Sequence, residues 1–194
     1  MIAAMPDTEA YPKTFMLRDD TRVVSIRPMQ AGDKVHLLDF FKRIPEEERF
    51  YLKENVTSPE VISAWTGNID FGRVIPIVAL DGDRIVADAT LHRSRTAARR
   101  HVGEIRVVVD PDYREVGLGR RLIRELLDTA SELGLHRVTF ELVAGQEEPA
   151  INAARSVGFK TVAVLPERIR DFRGNNQDLV LMDLSLGERH QWWY

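Results

Sequence analysis

Residues 114–121, Arg114-Glu115-Val116-Gly117-Leu118-Gly119-Arg120-Arg121, join an apolar run to an amphipathic stretch through two closely spaced glycines. The run before them, GEIRVVV (103–109), is rich in β-branched residues and predicts a strand. After them, Leu122, Ile123, Leu126, Leu127, Ala130 and Leu133 form one apolar stripe, opposed by Arg120, Arg121, Arg124, Asp128 and Glu132. That spacing predicts a helix starting near Leu118, with Gly134 as its stop. Glycines at such a strand-to-helix turn let the backbone turn tightly and bring N–H groups close to a ligand. The helix N-terminus adds unpaired donors and the positive end of a dipole, so phosphate is the natural ligand. A bare Gly-x-Gly also serves as simple punctuation. Arg114, Arg120 and Arg121, clustered in a net acidic chain, favour the anion site. Two phosphate loops are excluded. The dinucleotide fingerprint needs a third glycine where Leu122 stands, and a P-loop needs Lys-Ser/Thr where Arg120-Arg121 follow Gly119.

Upstream of the loop, segments 14–18 and 22–27 flank Asp19-Asp20-Thr21, a hairpin signal. Helices are expected over 31–43 and 46–54, and from Ser58-Pro59-Glu60 to about Gly67. Strands 74–80 and 84–92 meet at Asp81-Gly82-Asp83. Downstream come a strand at 138–143, a short helix over 148–157 and two closing strands, KTVAVLPERI and DLVLMDLSL. The expected class is α/β (α+β): a mixed, mostly antiparallel sheet of six to seven strands with helices on both faces. Residues 1–13 are expected to form a flexible arm, 14–186 one domain and 187–194 a tail.

The 194 residues fit one domain at about 150 residues each. Of them 44% are hydrophobic and 29% charged, which excludes wholesale disorder. The net charge of −3 weighs against a nucleic-acid partner. Without cysteine there is no thiolate nucleophile and no zinc-thiolate site, and a reducing cytoplasm fits. No metal site is expected. No run approaches the roughly 18 apolar residues of a membrane span, and the first residues do not read as a signal peptide.

Arg-x-x-Gly-x-Gly at 114–119, entered from a strand ending VVVDPDY, resembles the acetyl-CoA loop of the GNAT superfamily of N-acetyltransferases. The resemblance covers about residues 14–186. RVTFELV and the SVGFK turn (156–160) fall where that family has them. LRDDTRVVSIRP and DFFKRIPEEERF are similar to a narrower group, the acetyltransferase domains of bacterial protein-lysine acetyltransferases. The resemblance implies the GNAT fold and acetyl-CoA as co-substrate. Its diphosphate would lie on the backbone of Val116, Gly117, Leu118, Gly119 and Arg120, with Arg114 and Arg121 as charge partners. Its pantetheine arm would pair with the main chain of Val107, Val108 and Val109. The tyrosine acid common in the family falls at Ala154, and an asparagine that often faces the cofactor falls at Glu147. Asn152 is another cofactor contact, or a surface helical residue.

Acyl transfer to an amine needs a neutral nitrogen, and free lysine has a pKa near 10.4. In the lysine-acetylating group a glutamate ten residues before the loop arginine acts as base, which here is Glu104. Glu104, Arg106 and Val108 share one strand face by alternation. His92 and His101 flank the same region and read more readily as surface or satisfied histidines. The basic loop of Arg93, Arg95, Arg99 and Arg100 steers an anion or is a solvated turn, and Arg168, Arg170 and Arg173 read the same way. Trp192, Trp193 and Tyr194 mark a contact or fold back on their own domain.

The expected activity is acetyl transfer to a primary amine by direct attack, with a protein lysine as first acceptor. The alternatives are a small-molecule amine or amino acid, and a non-catalytic acyl-CoA sensor. Monomer and homodimer are both open.

Overall fold

A computed structural model describes residues 10–187. The tail aromatics Trp192, Trp193 and Tyr194 lie outside the described residues, as do the first nine residues of the expected arm. The sheet has eight strands in the order β1-β2-β3-β4-β5-β6-β8-β7. The class is as expected, a mixed and mostly antiparallel sheet with helices; the strand number exceeds six to seven. The chain divides into two compact units, and β4 (Arg84–Arg93) and β5 (Val102–Val109) each run from one into the other.

The first unit holds the chain up to Asp88 and Val108–Leu118. In it β1 (Lys13–Met16) pairs antiparallel with β2 (Val23–Pro28), which pairs antiparallel with β3 (Val74–Asp81). A 3-10 turn at Ala31–Asp33 precedes α1 (Lys34–Arg43), so only the second part of the 31–43 stretch is α-helical. α2 is confined to Glu46–Arg49, shorter than the expected 46–54. The reason is local: Tyr51 and Leu52 donate to Glu48 and Arg49, three residues back, and the turn tightens out of the α register. α3 (Pro59–Gly67) starts as the sequence predicts, with the Ser58 hydroxyl accepting from the Val61 N–H.

The core of this unit is Met29, Leu37, Phe40, Phe41, Ile44, Val56, Ile62, Val78, Leu80 and Ile85, with Trp65 and Val108 packed against it. Phe41 has Phe40 at 4.9 Å and Trp65 edge-on at 6.0 Å. Each of the fully buried large side chains contributes about 1.5–3 kcal/mol.

The second unit holds Ala89–Val107 and the chain from Gly119 onward. It contains most of α4 (Leu118–Glu132), then β6 (Arg137–Val143), α5 (Glu148–Ser156), β7 (Lys160–Arg170) and β8 (Asn176–Ser185). Leu122, Ile123, Leu126, Leu127 and Ala130 of α4 are at most 1% exposed, while Arg121, Arg124, Asp128 and Glu132 face solvent, as the stripe predicts. β6 and β7 both pair antiparallel with β8. β5 pairs parallel with β6 from Val102–Arg137 to Ile105–Phe140. There the ladder stops, although β6 continues to Val143.

Candidate active site

Asp110 terminates β5 and fixes the approach to the loop. It is 1% exposed and accepts from Arg43 Nε at 2.8 Å, from Arg84 Nη2 at 3.0 Å and from the Asp112 N–H at 3.1 Å. Burial acts to raise its pKa, but the Arg43 and Arg84 guanidinium groups and the Asp112 N–H together hold it below the usual carboxylate value. Tyr113 then packs under Arg22, whose guanidinium lies 4.5 Å from the ring centroid, and donates to Asp81 at 2.6 Å. The strand end is thus tied to α1, β3 and β4 before the loop begins. Nothing in the spacing of Arg43, Arg84 and Asp110 announces this node.

The loop itself carries two backbone turns into the left-handed region, Glu115 at φ 62° and Gly117 at φ 87°. Only at Gly117 does the sequence supply the residue that adopts it freely. A Cβ added there would meet the Arg18 side chain at 3.1–3.3 Å, and the Arg18 N–H donates to the Val116 carbonyl at 3.1 Å. Leu118 is buried and opens α4. The N–H groups of Leu118, Gly119 and Arg120, the first three residues of α4, have no acceptor within the helix. Arg120 Nε is buried without a hydrogen-bond partner among the described residues, whereas Arg121 is exposed.

Arg114 is placed differently from a free charge partner. Its Nη1 and Nη2 clasp Glu48 Oε1 and Oε2 at 2.9 and 2.6 Å, and its Nε and Nη2 donate to the Val109 carbonyl at 3.1 Å each. One Nη1 hydrogen is left over. The guanidinium therefore binds α2 to the end of β5 and braces the loop. Glu48 was invisible as a site residue in the sequence, since EEER reads as an exposed helical charge run.

On β5, Val107, Val108 and Val109 are half-buried, and Val108 packs on the core of the first unit. Beyond Ile105 the strand has no ladder with β6 among the described residues, and the Val109 carbonyl there is taken by Arg114. An extended ligand main chain fits such an edge. A helix N-terminus is by itself the kind of feature that receives a phosphate group.

In the second unit Glu104 and Arg106 point from one face of β5, and Arg106 Nε donates to Glu104 Oε1 at 2.9 Å. Both are partly exposed, at 29% and 36% of their side-chain surface. Beside them Gly103 is buried, and a Cβ there would meet Leu91 and Leu135 at 2.7 and 2.9 Å. His92 pairs with the Thr90 hydroxyl at 2.9 Å, and His101 lies exposed near His136. Arg95, Arg99, Arg100, Arg168, Arg170 and Arg173 are exposed and Arg93 half-buried. Asn152 is exposed on α5, and Ala154 is fully buried. Glu147 accepts from the Val143 N–H at 2.7 Å and closes the turn before α5. Among the described residues no cluster of three or more His, Asp or Glu is placed to hold a metal ion, and no helix is long and apolar enough to cross a membrane.

Residues 37–159 match the sequence model described as the Acetyltransferase (GNAT) family. The chain is 37% identical over 90 residues to the L-amino acid N-acyltransferase MnaT of Escherichia coli, a match covering 46% of this chain and 51% of that protein. It is 35% identical over 89 residues to the L-methionine sulfoximine/L-methionine sulfone acetyltransferase of Salmonella typhimurium, again 46% and 51%. The matched region thus spans about half the length of these curated relatives. Among solved structures, the acetyltransferase yncA of Salmonella typhimurium with its cofactor acetyl-CoA superposes with a TM-score of 0.71 at 22% identity, over 84% of this chain and 94% of that one. The ribosomal-protein-alanine N-acetyltransferase of Brucella melitensis gives 0.70 at 25% identity, over 82% and 98%.

Proposed function

Because the chain belongs to the GNAT acetyltransferase family, we propose that it moves an acetyl group from acetyl-CoA to the amine of a free amino acid or a close small-molecule analogue. The observation that carries the acceptor is the pair of curated relatives, both named for acylating amino acids or their analogues. That moves the small-molecule acceptor ahead of the protein lysine expected first from the sequence.

The chain's own residues divide the work along one strand. The N-terminal half of β5 carries Glu104; its C-terminal half leads through Val109 into the loop. Val116 to Arg120 offer backbone N–H groups to the diphosphate, and the unladdered main chain of Val107 and Val108 holds the arm. Glu104 receives the proton of the attacking amine. The neutral amine nitrogen then bonds to the thioester carbonyl carbon, the carbon–sulfur bond breaks, and the electron pair leaves on the sulfur of CoA, which takes up the second proton that the nitrogen gives up as the amide forms. No cysteine exists to relay the acyl group, so the transfer runs directly between the two bound substrates.

Release of free CoA with a panel of L-amino acids, polyamines and lysine-containing peptides tests this. Amino acids are expected to give acetylated product by mass spectrometry. Acetylation of the peptides with none of the amino acids would return the acceptor to protein lysine. Binding of acetyl-CoA with no product from any amine would leave a sensor.

A further inference from the structure

Arg106 is only half used. Its Nε is engaged by Glu104 Oε1, but neither of its Nη groups has a partner among the described residues. It is also the first residue of β5 beyond the ladder with β6, which ends at Ile105. The side chain keeps 36% of its surface exposed, so a fork with four unused N–H donors faces accessible space beside the carboxylate assigned to the amine proton. A guanidinium fork of this kind matches a carboxylate, with two parallel charge-assisted hydrogen bonds.

In an amino acid the amine and the carboxylate are joined through a single carbon, with nitrogen and carboxylate oxygen about 3 Å apart. A side chain that fixes the carboxylate thereby fixes the amine. The separation on the protein matches: Glu104 Oε1 and Arg106 Nε are 2.9 Å apart, with the Nη groups next to Nε on the same plane. The geometry points to Arg106 as the carboxylate subsite of the acceptor, a specificity-determining residue that holds the α-carboxylate while Glu104 faces the α-amine. The inference rests on the amino-acid reading above, and it places both recognition and proton removal on two residues of one strand. An amine without a carboxylate lacks this hold, so polyamines and lysine side chains are disfavoured by the same residue.

The test compares each amino-acid acceptor with its carboxamide, which keeps the amine and loses the anion. The wild-type protein is expected to prefer the acid by about tenfold or more in kcat/KM, chiefly through KM. Arg106→Gln is expected to collapse that acid-to-amide ratio toward one. Arg106→Lys, which keeps the charge and loses the fork, is expected to fall between. A change in overall activity with the ratio intact would be a structural effect and would overturn the subsite. Acetyl-CoA binding by calorimetry identifies a variant that has failed to fold, in which case the lysine variant alone decides. Wild-type protein that acetylates amino acids and carboxamides equally well overturns the subsite and leaves the amino-acid reading standing. Wild-type protein that acetylates no amino acid overturns both.

Discussion

Asp88 lies in the middle of β4, 6% exposed, with Oδ1 lacking a hydrogen-bond partner among the described residues. Burial pushes its pKa from the ordinary 3.8 up to about 7. Between those values the folded protein keeps a proton that the unfolded chain has released. Its contribution is therefore fully present below about pH 4, is lost as pH rises to about 7, and is flat above. The loss is on the order of 4 kcal/mol. Asp88→Asn should flatten that slope. Urea midpoints at about pH 4.5 and about pH 7.5 check it, and an equal drop in both proteins would contradict the assignment. Glu104→Gln keeps the shape and removes the proton acceptor. Turnover at neutral pH should fall by about 10²–10⁴-fold, with acetyl-CoA binding nearly unchanged and partial recovery at high pH, where free amine is abundant. Near wild-type turnover at neutral pH would exclude the role. The proposal for Glu104 comes from its distance to Arg114, which the family resemblance supplies. Asp88 was not legible, since an aspartate in a strand reads as solvated until its neighbours are known.

The loop element shows how far spacing carries and where it stops. Two glycines between a β-branched run and an amphipathic stripe were enough to place the turn and the start of α4, because each feature is local in sequence. What Arg114 does is not local. Its partner Glu48 is 66 positions away, and an arginine beside a phosphate loop looks like a phosphate ligand until that carboxylate is seen. The length of α2 was misread for a different, local reason: the stretch opens with good helix formers, and the three-residue hydrogen bonds of Tyr51 and Leu52 end the α-helix after Arg49. At Gly117 the φ of 87° and the Arg18 side chain act together. Gly117→Val forces a β-branched residue into the left-handed region, which costs roughly 1–2 kcal/mol and displaces the loop. Acetyl-CoA affinity should drop by about tenfold or more, equivalent to about 1.4 kcal/mol, in a calorimetric titration. Binding equal to wild type would show that the cofactor does not use this backbone.

At the scale of the molecule, a ligand that binds only the folded protein stabilises it by mass action. Acetyl-CoA at about 100 times its dissociation constant should add about 2.7 kcal/mol. NAD and ATP should add less, given Leu122 and Arg120-Arg121 at the positions their loops require. A thermal-shift series measures this, and a larger shift with NAD or ATP would reject the cofactor. Strand identity and the class of sheet were readable because turn residues such as Asp81-Gly82-Asp83 punctuate apolar runs. The order of the last two strands was not, since β8 inserts between β6 and β7 and no local signal encodes that choice.

That choice leaves β7, eleven residues long, as the last strand of the sheet, with Val162 61% and Val164 50% exposed. The opposite margin, β1, has only four residues. A long margin with exposed valines is a template on which a second chain can lay its own strand. β7 breaks its own register between Thr161 and Ala163 and again between Leu165 and Ile169, and it carries Lys160, Glu167, Arg168 and Arg170. Bulges and charges of this kind spoil a flat template. The bulges and charges of β7 thus act as guards against strand-on-strand association, and a charge in place of Val162 or Val164 would add to that guard.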